Sequence, residues 1–377
     1  MKKILIGVDS VFQFVIASNL RLTIYENDIV DLIIYKSFLS APDLFSRVKN
    51  LCVFRNVFLA DTSLTRCGKK YSFFEKLPKF FIYLYSLAAP NKVLKKIIGK
   101  ELIEEYDEFL FNGYGALPEC IFNSCYKINT KIVCHRFEDG YSSYFTIYNS
   151  KKNIIRRSIE SFSSIMFNRK NIDSYVSSFY FQEPEMVMSH LPYDVVGAPK
   201  FGRHNKKLVD FLNKAFNYSP KEESVLKFFF FEDGRMFFES DTNEEVEIVS
   251  LISKYIDPTS IVVKLHPRTK INRFKDLGVD VMNASAVPWE VIQLNHDYGG
   301  CIFITITSSP IFSSDIYFGD KCYKILLYKC LKTPPSSIDA KFEAYVQKYK
   351  ERFGSDYLFI PESYDELKSI LMKLTNK

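Results

Sequence analysis

The sequence predicts an α/β protein of two domains, each built on a parallel β-sheet. Its 377 residues correspond to about two and a half domains of average size, so two is the working number. A hydrophobic fraction of 47% with 25% charged residues is typical of a chain that forms ordinary globular cores. Short apolar runs alternate with stretches of helical periodicity, which is the pattern of buried parallel strands joined by crossover helices.

Seven apolar runs bounded by turn or polar residues are predicted to be strands. They cover residues 3–8, 30–35, 108–112, 131–135, 225–231, 260–265 and 301–305. Between them, residues 13–22 and 244–254 repeat apolar side chains at helical spacing and are predicted to be crossover helices. Most of the strand runs are apolar throughout, which favours strands that are covered on both faces.

The domain prediction follows from a change in composition between about Gly197 and Glu223, where Gly, Pro, His, Asn and Lys replace the strand pattern. We predict a first domain over 1–200, a linker over 201–222 and a second domain over 223–336, with C-terminal helices over 337–377 that can pack back on the first domain. The two sheets are expected to face each other across a central cleft. Ligands of open parallel sheets bind beyond the carboxyl ends of the strands, so the residues just after each strand are the candidates for chemistry.

Charge and cysteine content argue against several classes of protein. A formal charge of +6 over the whole chain, without a recognisable binding module, argues against nucleic acid as a partner. The longest apolar stretch, 80–89, is shorter than the ~18 residues of a membrane span. The eight cysteines show no CxxC pair, which predicts neither a disulfide framework nor a zinc site and fits the cytoplasm. The apolar run at 4–8 is too short for a signal peptide and is expected to be the first strand.

The first candidate site residues follow the predicted strand at 131–135. Glu138 and Asp139 are adjacent carboxylates, and Gly140 can turn the chain sharply after them. A carboxylate held at this position can act as a general base, and the alternative is a simple strand-ending turn. The same triplet recurs as Glu232-Asp233-Gly234 after another apolar run, so these residues alone leave two candidates for the base.

The second candidate is a histidine at the end of the predicted strand 260–265. Pro267 restricts the preceding residue to extended geometry, which places His266 at the strand tip. Its neighbours Lys264, Arg268 and Lys270 are cations, so an anion is expected beside the imidazole. The alternative is that the histidine makes a structural hydrogen bond.

A third group follows the predicted strand 301–305. It is a hydroxyl cluster made of Thr307, Ser308 and Ser309. Hydroxyls and backbone N–H groups at a helix start suit a phosphate, although capping of the helix would use the same residues. Nearby, Pro288 suits a first helical turn and Glu290 a helix N-terminus, where its carboxylate can also accept hydrogen bonds from a sugar hydroxyl.

Together these groups supply what an inverting transfer from a nucleotide sugar requires. The first domain offers a carboxylate, which can take the proton of an acceptor hydroxyl. The second offers a histidine, which can stabilise the departing phosphate, and a set of donors that can surround that phosphate.

The order of these motifs also resembles a known family. The triplet at 138–140, the His-Pro pair at 266–267 and the Ser-Ser pair at 308–309 look like the motifs of the bacterial lipooligosaccharide and O-antigen sialyltransferases of glycosyltransferase family 52, and of the bacterial polysialyltransferases. Residues 9–14 (Asp-Ser-Val-Phe-Gln-Phe) resemble the Thr-Pro-x-Gln segment that follows the first strand in these enzymes. Residues 288–290 resemble their Pro-x-Glu helix start.

The resemblance implies a GT-B fold of two Rossmann-like domains, CMP-sialic acid as donor, inversion at the anomeric carbon, and no metal or other cofactor. It assigns the general base to Glu138 and the general acid to His266; Glu138 is preferred over Glu232 because it lies in the first domain. The residues expected to bind the donor are Lys264, Pro267, Glu290, Thr307, Ser308 and Ser309. Further candidates are Ser10, Gln13, Asp139 and Gly140, together with Glu232 and Asp233, which are expected to bind ribose or sialic acid hydroxyls or to turn the chain.

The expected function is therefore transfer of sialic acid to a galactose-type end of a bacterial surface glycan, namely lipooligosaccharide, O-antigen or capsule. The alternatives are another GT-B transferase with a CMP- or CDP-activated donor, and a non-catalytic polysaccharide-assembly protein. Expected partners are a nucleotide sugar and an oligosaccharide or lipid-linked glycan, with a homodimer left open.

The basic and aromatic segments 78–100 and 151–170 predict peripheral contact with the cytoplasmic face of the inner membrane. The alternative for these segments is a core helix with a solvated basic end.

Overall fold

This computed structural model describes the chain in ranges separated by gaps. The described residues are 1–62, 85, 88–99, 104–113, 116–145, 169–188, 190–220, 228–233, 244–267, 269, 271–282, 287–331 and 338–375. The chain forms two compact units. The first unit comprises Met1–Pro184, Ser189–Pro199 and Asp210–Ala215, and the second comprises Glu185–Met188, Lys200–Val209 and Phe216–Lys377.

The first unit is built on a parallel sheet. Its strands are β1 (Lys3–Val8), β2 (Ile29–Tyr35), β3 (Val57–Ala60), β4 (Glu108–Phe111), β5 (Val133–Phe137), β6 (Val176–Phe181) and β7 (Asp194–Gly197). Over the described residues these seven strands run in the order β3-β2-β1-β4-β5-β6-β7, and every neighbouring pair is parallel. The chain reverses its direction of progress across the sheet between β1 and β4, and such a switch point is where loops diverge and ligands bind.

Four helices connect the first five of these strands, namely α1 (Val11–Leu22), α2 (Ala41–Lys49), α3 (Pro90–Ile98) and α4 (Ala116–Tyr126). A further helix, α5 (Lys206–Phe216), follows β7 and is divided between the two units. Ser10 caps α1, because its hydroxyl oxygen accepts the backbone N–H of Gln13 at 3.1 Å. One side of the sheet packs on α3 and α4 around Leu5, Phe109 and Ile121, all of which are buried.

The second unit repeats the plan with shorter strands. Its strands are β8 (Phe228–Phe231), β9 (Ile261–Lys264), β10 (Asp280–Val281), β11 (Ile302–Thr305), β12 (Tyr323–Leu326) and β13 (Leu358–Phe359). Over the described ranges these six form a parallel sheet in the order β10-β9-β8-β11-β12-β13, with the switch point between β8 and β11. The helices are α6 (Glu244–Ile252), α7 (Trp289–Gln293), α8 (Pro310–Ser313), which continues into a π-helical turn over Ser314–Phe318, α9 (Ala340–Phe353) and α10 (Tyr364–Thr375).

The predicted fold of two α/β domains with parallel sheets is confirmed, and all seven predicted strands are present. β5 ends two residues later than predicted, at Phe137, so Glu138 follows the strand directly. The sequence reading missed β3, β6, β7, β10, β12 and β13, which are short or carry polar residues inside the strand. The cleft between the two sheets stays a prediction.

The stretch predicted as a linker contains α5, and the compact units divide it, with 201–209 in the second unit and 210–215 in the first. The C-terminal helices belong to the second unit. On α9, the rings of Tyr345 and Tyr349 lie 5.2 and 4.9 Å from that of Phe312. Packing of these helices against the first domain stays a prediction.

The membrane prediction concerns segments of which little is described. Residues 63–84, 86, 87, 100 and 146–168 lie outside the described residues. On α3, Lys92, Lys95 and Lys96 are exposed, while Val93, Leu94 and Ile97 are buried. None of the helices in the described ranges has both the length and the apolar character needed to cross a bilayer.

A buried carboxylate joins three parts of the first unit. Asp31 on β2 is fully buried and accepts hydrogen bonds from Nε of Arg55 at 2.9 Å, from the backbone N–H of Asn56 at 3.0 Å and from the hydroxyl of Tyr106 at 2.7 Å. These donors offset the cost of removing the Asp31 carboxylate from water, because a buried carboxylate is stable only when it is fully hydrogen-bonded. The desolvation of Tyr106 and its contact with this carboxylate raise the pKa of the phenol.

Replacement of Asp31 by Asn is therefore expected to destabilise the first unit by about 3 kcal/mol, because it leaves the Arg55 guanidinium without its buried anion. The measurement is the free energy of unfolding in urea. The matched control is Glu104→Gln. Glu104 pairs with Arg55 at 3.4 Å but is partly exposed, so its loss should cost about 0.5 kcal/mol. Equal losses for the two variants would contradict the buried role of Asp31.

Candidate active site

Glu138 lies at the carboxyl end of β5 and is enclosed by the next strand. Its side chain is buried, with 1% of the residue exposed. Its backbone N–H donates to the carbonyl of Tyr180 at 3.1 Å, and its Oε1 accepts the backbone N–H of Gln182 at 3.4 Å. The end of β6 thus sets the orientation of this carboxylate.

The neighbouring carboxylate, Asp139, is oriented by different partners. Its Oδ1 accepts the hydroxyl of Ser10 at 2.9 Å and its Oδ2 accepts the side-chain amide of Gln13 at 2.9 Å. Burial raises the pKa of Asp139, as does the charge of Asp9, whereas the hydrogen bonds from Gln13 and Ser10 oppose the rise. The structure therefore brings together Ser10, Gln13 and Asp139, and these contacts tie the end of β5 to the start of α1.

Gly140 makes the turn after the two carboxylates. Its φ of +76° lies in the left-handed region, which favours glycine. A 3-10 turn over Tyr141–Tyr144 follows, and the buried ring of Tyr144 packs on that of Phe181 with centroids 5.1 Å apart. The turn after the two carboxylates is thus packed against the end of β6.

The sequence reading missed one polar residue beside Glu138. Gln182 follows β6 directly, is 2% exposed, and its side-chain amide has no hydrogen-bond partner among the described residues. The available signal was the polar pair at 182 and 183 directly after the aromatic residues of 179–181. It was not used because β6 itself was not recognised as a strand.

In the second unit, Glu232 follows β8 and is almost fully enclosed, with 2% of the residue exposed. Its Oε2 accepts the backbone N–H of His266 at 2.8 Å and the hydroxyl of Thr269 at 2.5 Å. Its Oε1 accepts Nη2 of Arg273 at 2.7 Å. Protein donors thus contact both carboxylate oxygens, and binding of a sugar hydroxyl by Glu232 stays a prediction.

Asp233 contacts the loop on the other side of β8. Its Oδ1 accepts the backbone N–H of Thr307 at 3.0 Å, and its Oδ2 accepts the hydroxyl of Thr307. Its Oδ1 also lies 3.2 Å from the hydroxyl oxygen of Thr305, which donates to the carbonyl of Phe231 at 2.8 Å. These hydrogen bonds cross the switch point of the second sheet. Binding of a ribose or sialic acid hydroxyl by Asp233 likewise stays a prediction.

His266 is half-buried at the tip of β9, as its sequence context predicts, and Pro267 after it is exposed. The predicted cationic neighbours are described only in part, since residues 268 and 270 lie outside the described residues. Lys264 is buried, and this burial lowers its pKa to about 8 against the opposing charges of Glu290 and Glu232. The amine of Lys264 is therefore an interior charge and does not lie on the surface.

Glu290 lies in the first turn of α7, as predicted, and Pro288 immediately precedes that helix. Burial raises the pKa of Glu290 to about 7, and the charge of Lys264 opposes the rise. The charges of Lys264 and Glu290 thus favour each other in a desolvated part of the second unit.

The residues of the hydroxyl cluster after β11 become more exposed to solvent along the chain. Thr307 is buried and Ser308 is half-buried, with its backbone N–H donating to the hydroxyl of Thr305 at 3.2 Å. Ser309 is exposed, and its hydroxyl makes no capping hydrogen bond to α8. The predicted capping role of this side chain is not realised, and a role in phosphate binding stays a prediction.

The chain has the two-sheet fold of the GT-B glycosyltransferases, and the predicted fold class is confirmed. One similar structure is an α/β-galactoside α-2,3-sialyltransferase from the luminous marine bacterium Photobacterium phosphoreum, with a TM-score of 0.53 and 14% identity over 95% of this chain and 98% of that chain. The glycosyltransferase of kitacinnamycin matches with a TM-score of 0.55 and 9% identity over 100% and 91% of the two chains.

Phytolacca americana UGT2, complexed with UDP-2-fluoro-glucose and pterostilbene, matches with a TM-score of 0.52 and 8% identity over 99% of this chain and 89% of that chain. The sequence matches no protein-family profile and no curated protein. At these identities the likeness is one of fold. Membership of glycosyltransferase family 52 stays a prediction.

Proposed function

We propose that the chain is an inverting sialyltransferase that transfers sialic acid from CMP-sialic acid to a galactose-type end of a bacterial surface glycan. The observation that carries the proposal is the placement of the three family-like motifs. Glu138 follows β5, His266 follows β9 and the pair Ser308-Ser309 follows β11, each at the carboxyl end of a parallel strand. Carboxyl ends of parallel strands are where GT-B and other open α/β folds bind ligands.

In this proposal Glu138 removes the proton of the acceptor hydroxyl as that oxygen attacks the anomeric carbon. The bond between that carbon and the CMP phosphate breaks on the opposite side, which inverts the configuration. The backbone N–H of Gln182 holds the Glu138 carboxylate in place, so little reorganisation is needed when the proton moves. The adjacent Asp139 is hydrogen-bonded to Ser10 and Gln13, which fixes the end of β5 beside the start of α1.

On the donor side, His266 protonates or hydrogen-bonds the departing phosphate oxygen, and the hydroxyls of Ser308 and Ser309 surround the same phosphate. CMP leaves as a phosphate monoester, which carries less charge than the diphosphate released from a UDP-sugar. A histidine and a few neutral donors can therefore stabilise it, and metal independence is part of the proposal.

A different nucleotide donor is the second candidate, because the same fold is present in UGT2 complexed with UDP-2-fluoro-glucose. The proposal for CMP-sialic acid is favoured by the His-Pro and Ser-Ser pairs, which resemble those of sialyltransferases. Both candidates place the nucleotide on the second unit.

The test is incubation of the purified chain with CMP-sialic acid and lactose. We expect CMP release that depends on lactose, a product heavier by one sialic acid residue in mass spectrometry, and unchanged rates in EDTA. Linkage analysis of the product identifies the acceptor position. Parallel reactions with CDP-glycerol and UDP-glucose are the controls, and turnover of either without turnover of CMP-sialic acid would contradict the proposal.

A further inference from the structure

We infer that the second Glu-Asp-Gly triplet positions the two loops of the donor side: Glu232 holds the loop of His266, and Asp233 holds the loop of Thr307. This inference rests on the proposed function for its catalytic consequence. It makes both carboxylates positioning residues that act through other side chains, without contact with substrate.

The position of β8 in the sheet makes this possible. β8 lies between β9 and β11, and Phe231 is in register with Lys264 on one side and with Thr305 on the other. The three strands therefore end at one level. The two residues after Phe231 lie between the loop that follows β9 and the loop that follows β11.

Glu232 is joined to the His266 loop at three points. It accepts a backbone N–H from His266, a hydroxyl from Thr269 and a guanidinium N–H from Arg273. Because one of these donors is the main chain of His266 itself, movement of the carboxylate would move the imidazole. A glutamine at this position offers a single acceptor oxygen and cannot serve donors on both sides of the group.

A second carboxylate, that of Glu245, contacts both Arg273 and the main chain of Asp233. Nη2 of Arg273 lies 2.7 Å from Oε2 of Glu245 on α6, and Oε1 of Glu245 accepts the backbone N–H of Asp233 at 2.7 Å. A closed circuit thus runs from Glu232 through Arg273 and Glu245 back to Asp233. Burial raises the pKa of Glu245 to about 7, and the hydrogen bonds from Asp233 and Arg273 oppose the rise.

Asp233 performs the corresponding role for the hydroxyl loop. It accepts both the backbone N–H and the hydroxyl of Thr307, and its Oδ1 lies 3.2 Å from the hydroxyl oxygen of Thr305. Thr305 in turn accepts the backbone N–H of Ser308. Asp233 therefore sets the start of the segment that contains the proposed phosphate ligands Ser308 and Ser309.

The first experiment reads the loops directly and needs no turnover. Hydrogen–deuterium exchange is measured by mass spectrometry on the full chain and on Glu232→Gln and Asp233→Asn. We expect Glu232→Gln to speed exchange about tenfold in the peptide that contains His266, and Asp233→Asn to do so in the peptide that contains Thr307, because each loses a hydrogen bond to a charged acceptor. Glu247→Gln, an exposed glutamate on α6, is the matched control and should change neither peptide.

The second experiment is a kinetic comparison of the same variants. Glu232→Gln should lower kcat about 10- to 100-fold with the KM for lactose unchanged, because a displaced His266 imidazole is no longer aligned with the departing phosphate oxygen. Asp233→Asn should raise the KM for CMP-sialic acid and the Kd for CMP by about tenfold. The amount of folded protein in each variant is measured by circular dichroism and kcat is referred to it, because loss of folded protein alone would also lower the apparent kcat and leave both KM values unchanged.

The two experiments separate the inference from the proposed function. If neither variant changes exchange in its own loop, or if both change the two loops equally, the positioning roles are wrong. If exchange changes as expected while the unmodified chain neither binds CMP nor uses CMP-sialic acid, the positioning roles are supported and the proposed sialyl transfer is wrong. Thr269→Ser, which keeps the hydroxyl, should preserve exchange and kcat, whereas Thr269→Val should reproduce part of the Glu232→Gln effect.

Discussion

Replacement of His266 by Ala is expected to lower kcat for sialyl transfer by about 10²- to 10⁴-fold, the usual contribution of a general acid. The imidazole stands at the tip of β9 with its main chain held by Glu232, so its removal should leave the loop in place. The measurement is CMP release under saturating donor and acceptor.

The matched control is His190→Ala, since His190 is an exposed histidine of the first unit and should have no effect. An unchanged kcat in the His266 variant would remove this residue from the mechanism. If the His266 and Glu138 variants both left every cellular phenotype intact, the non-catalytic alternative would be favoured.

Replacement of Glu138 by Gln is expected to lower kcat by about 10²- to 10⁴-fold, because the amide cannot take up the proton of the acceptor sugar's hydroxyl. The fold should be retained, since a glutamine oxygen can still accept the backbone N–H of Gln182. The measurement is kcat together with the melting temperature, and the latter should change little. The KM for lactose should also change little, because the loss concerns the transition state.

The adjacent carboxylate provides the comparison. Asp139 is engaged by Ser10 and Gln13, so Asp139→Asn should lower the melting temperature more than Glu138→Gln does. Its effect on kcat should be the smaller of the two. The reverse pattern, with an active Glu138 variant and an inactive, stable Asp139 variant, would transfer the role of base to Asp139.

Strands that are apolar throughout could be predicted from the sequence, because a parallel sheet covered on both faces selects continuous apolar runs. β6 was missed because serines interrupt its first half. In the structure the hydroxyl of Ser178 is paired with Nδ1 of His135 on β5 at 2.8 Å. β12 was missed for a similar reason, since Lys324 inside it is buried and pairs with Asp315 at 2.7 Å. In both strands the polar side chain is stabilised by a partner outside the strand, which the local sequence pattern does not reveal.

The sequence by itself determined the alternation of strands and helices, and with it the polar residues that stand at the carboxyl ends of strands, because backbone preference and apolar patterning are local properties. Only the tertiary structure decided how the two identical Glu-Asp-Gly triplets differ. At the first, Asp139 is held by Ser10 and Gln13 at the start of α1. At the second, donors from residues 266–273 and 305–307 surround both carboxylates. Those donors come from the start of α1 and from the loops that follow β9 and β11, so their identity depends on how the chain folds and not on the triplet itself.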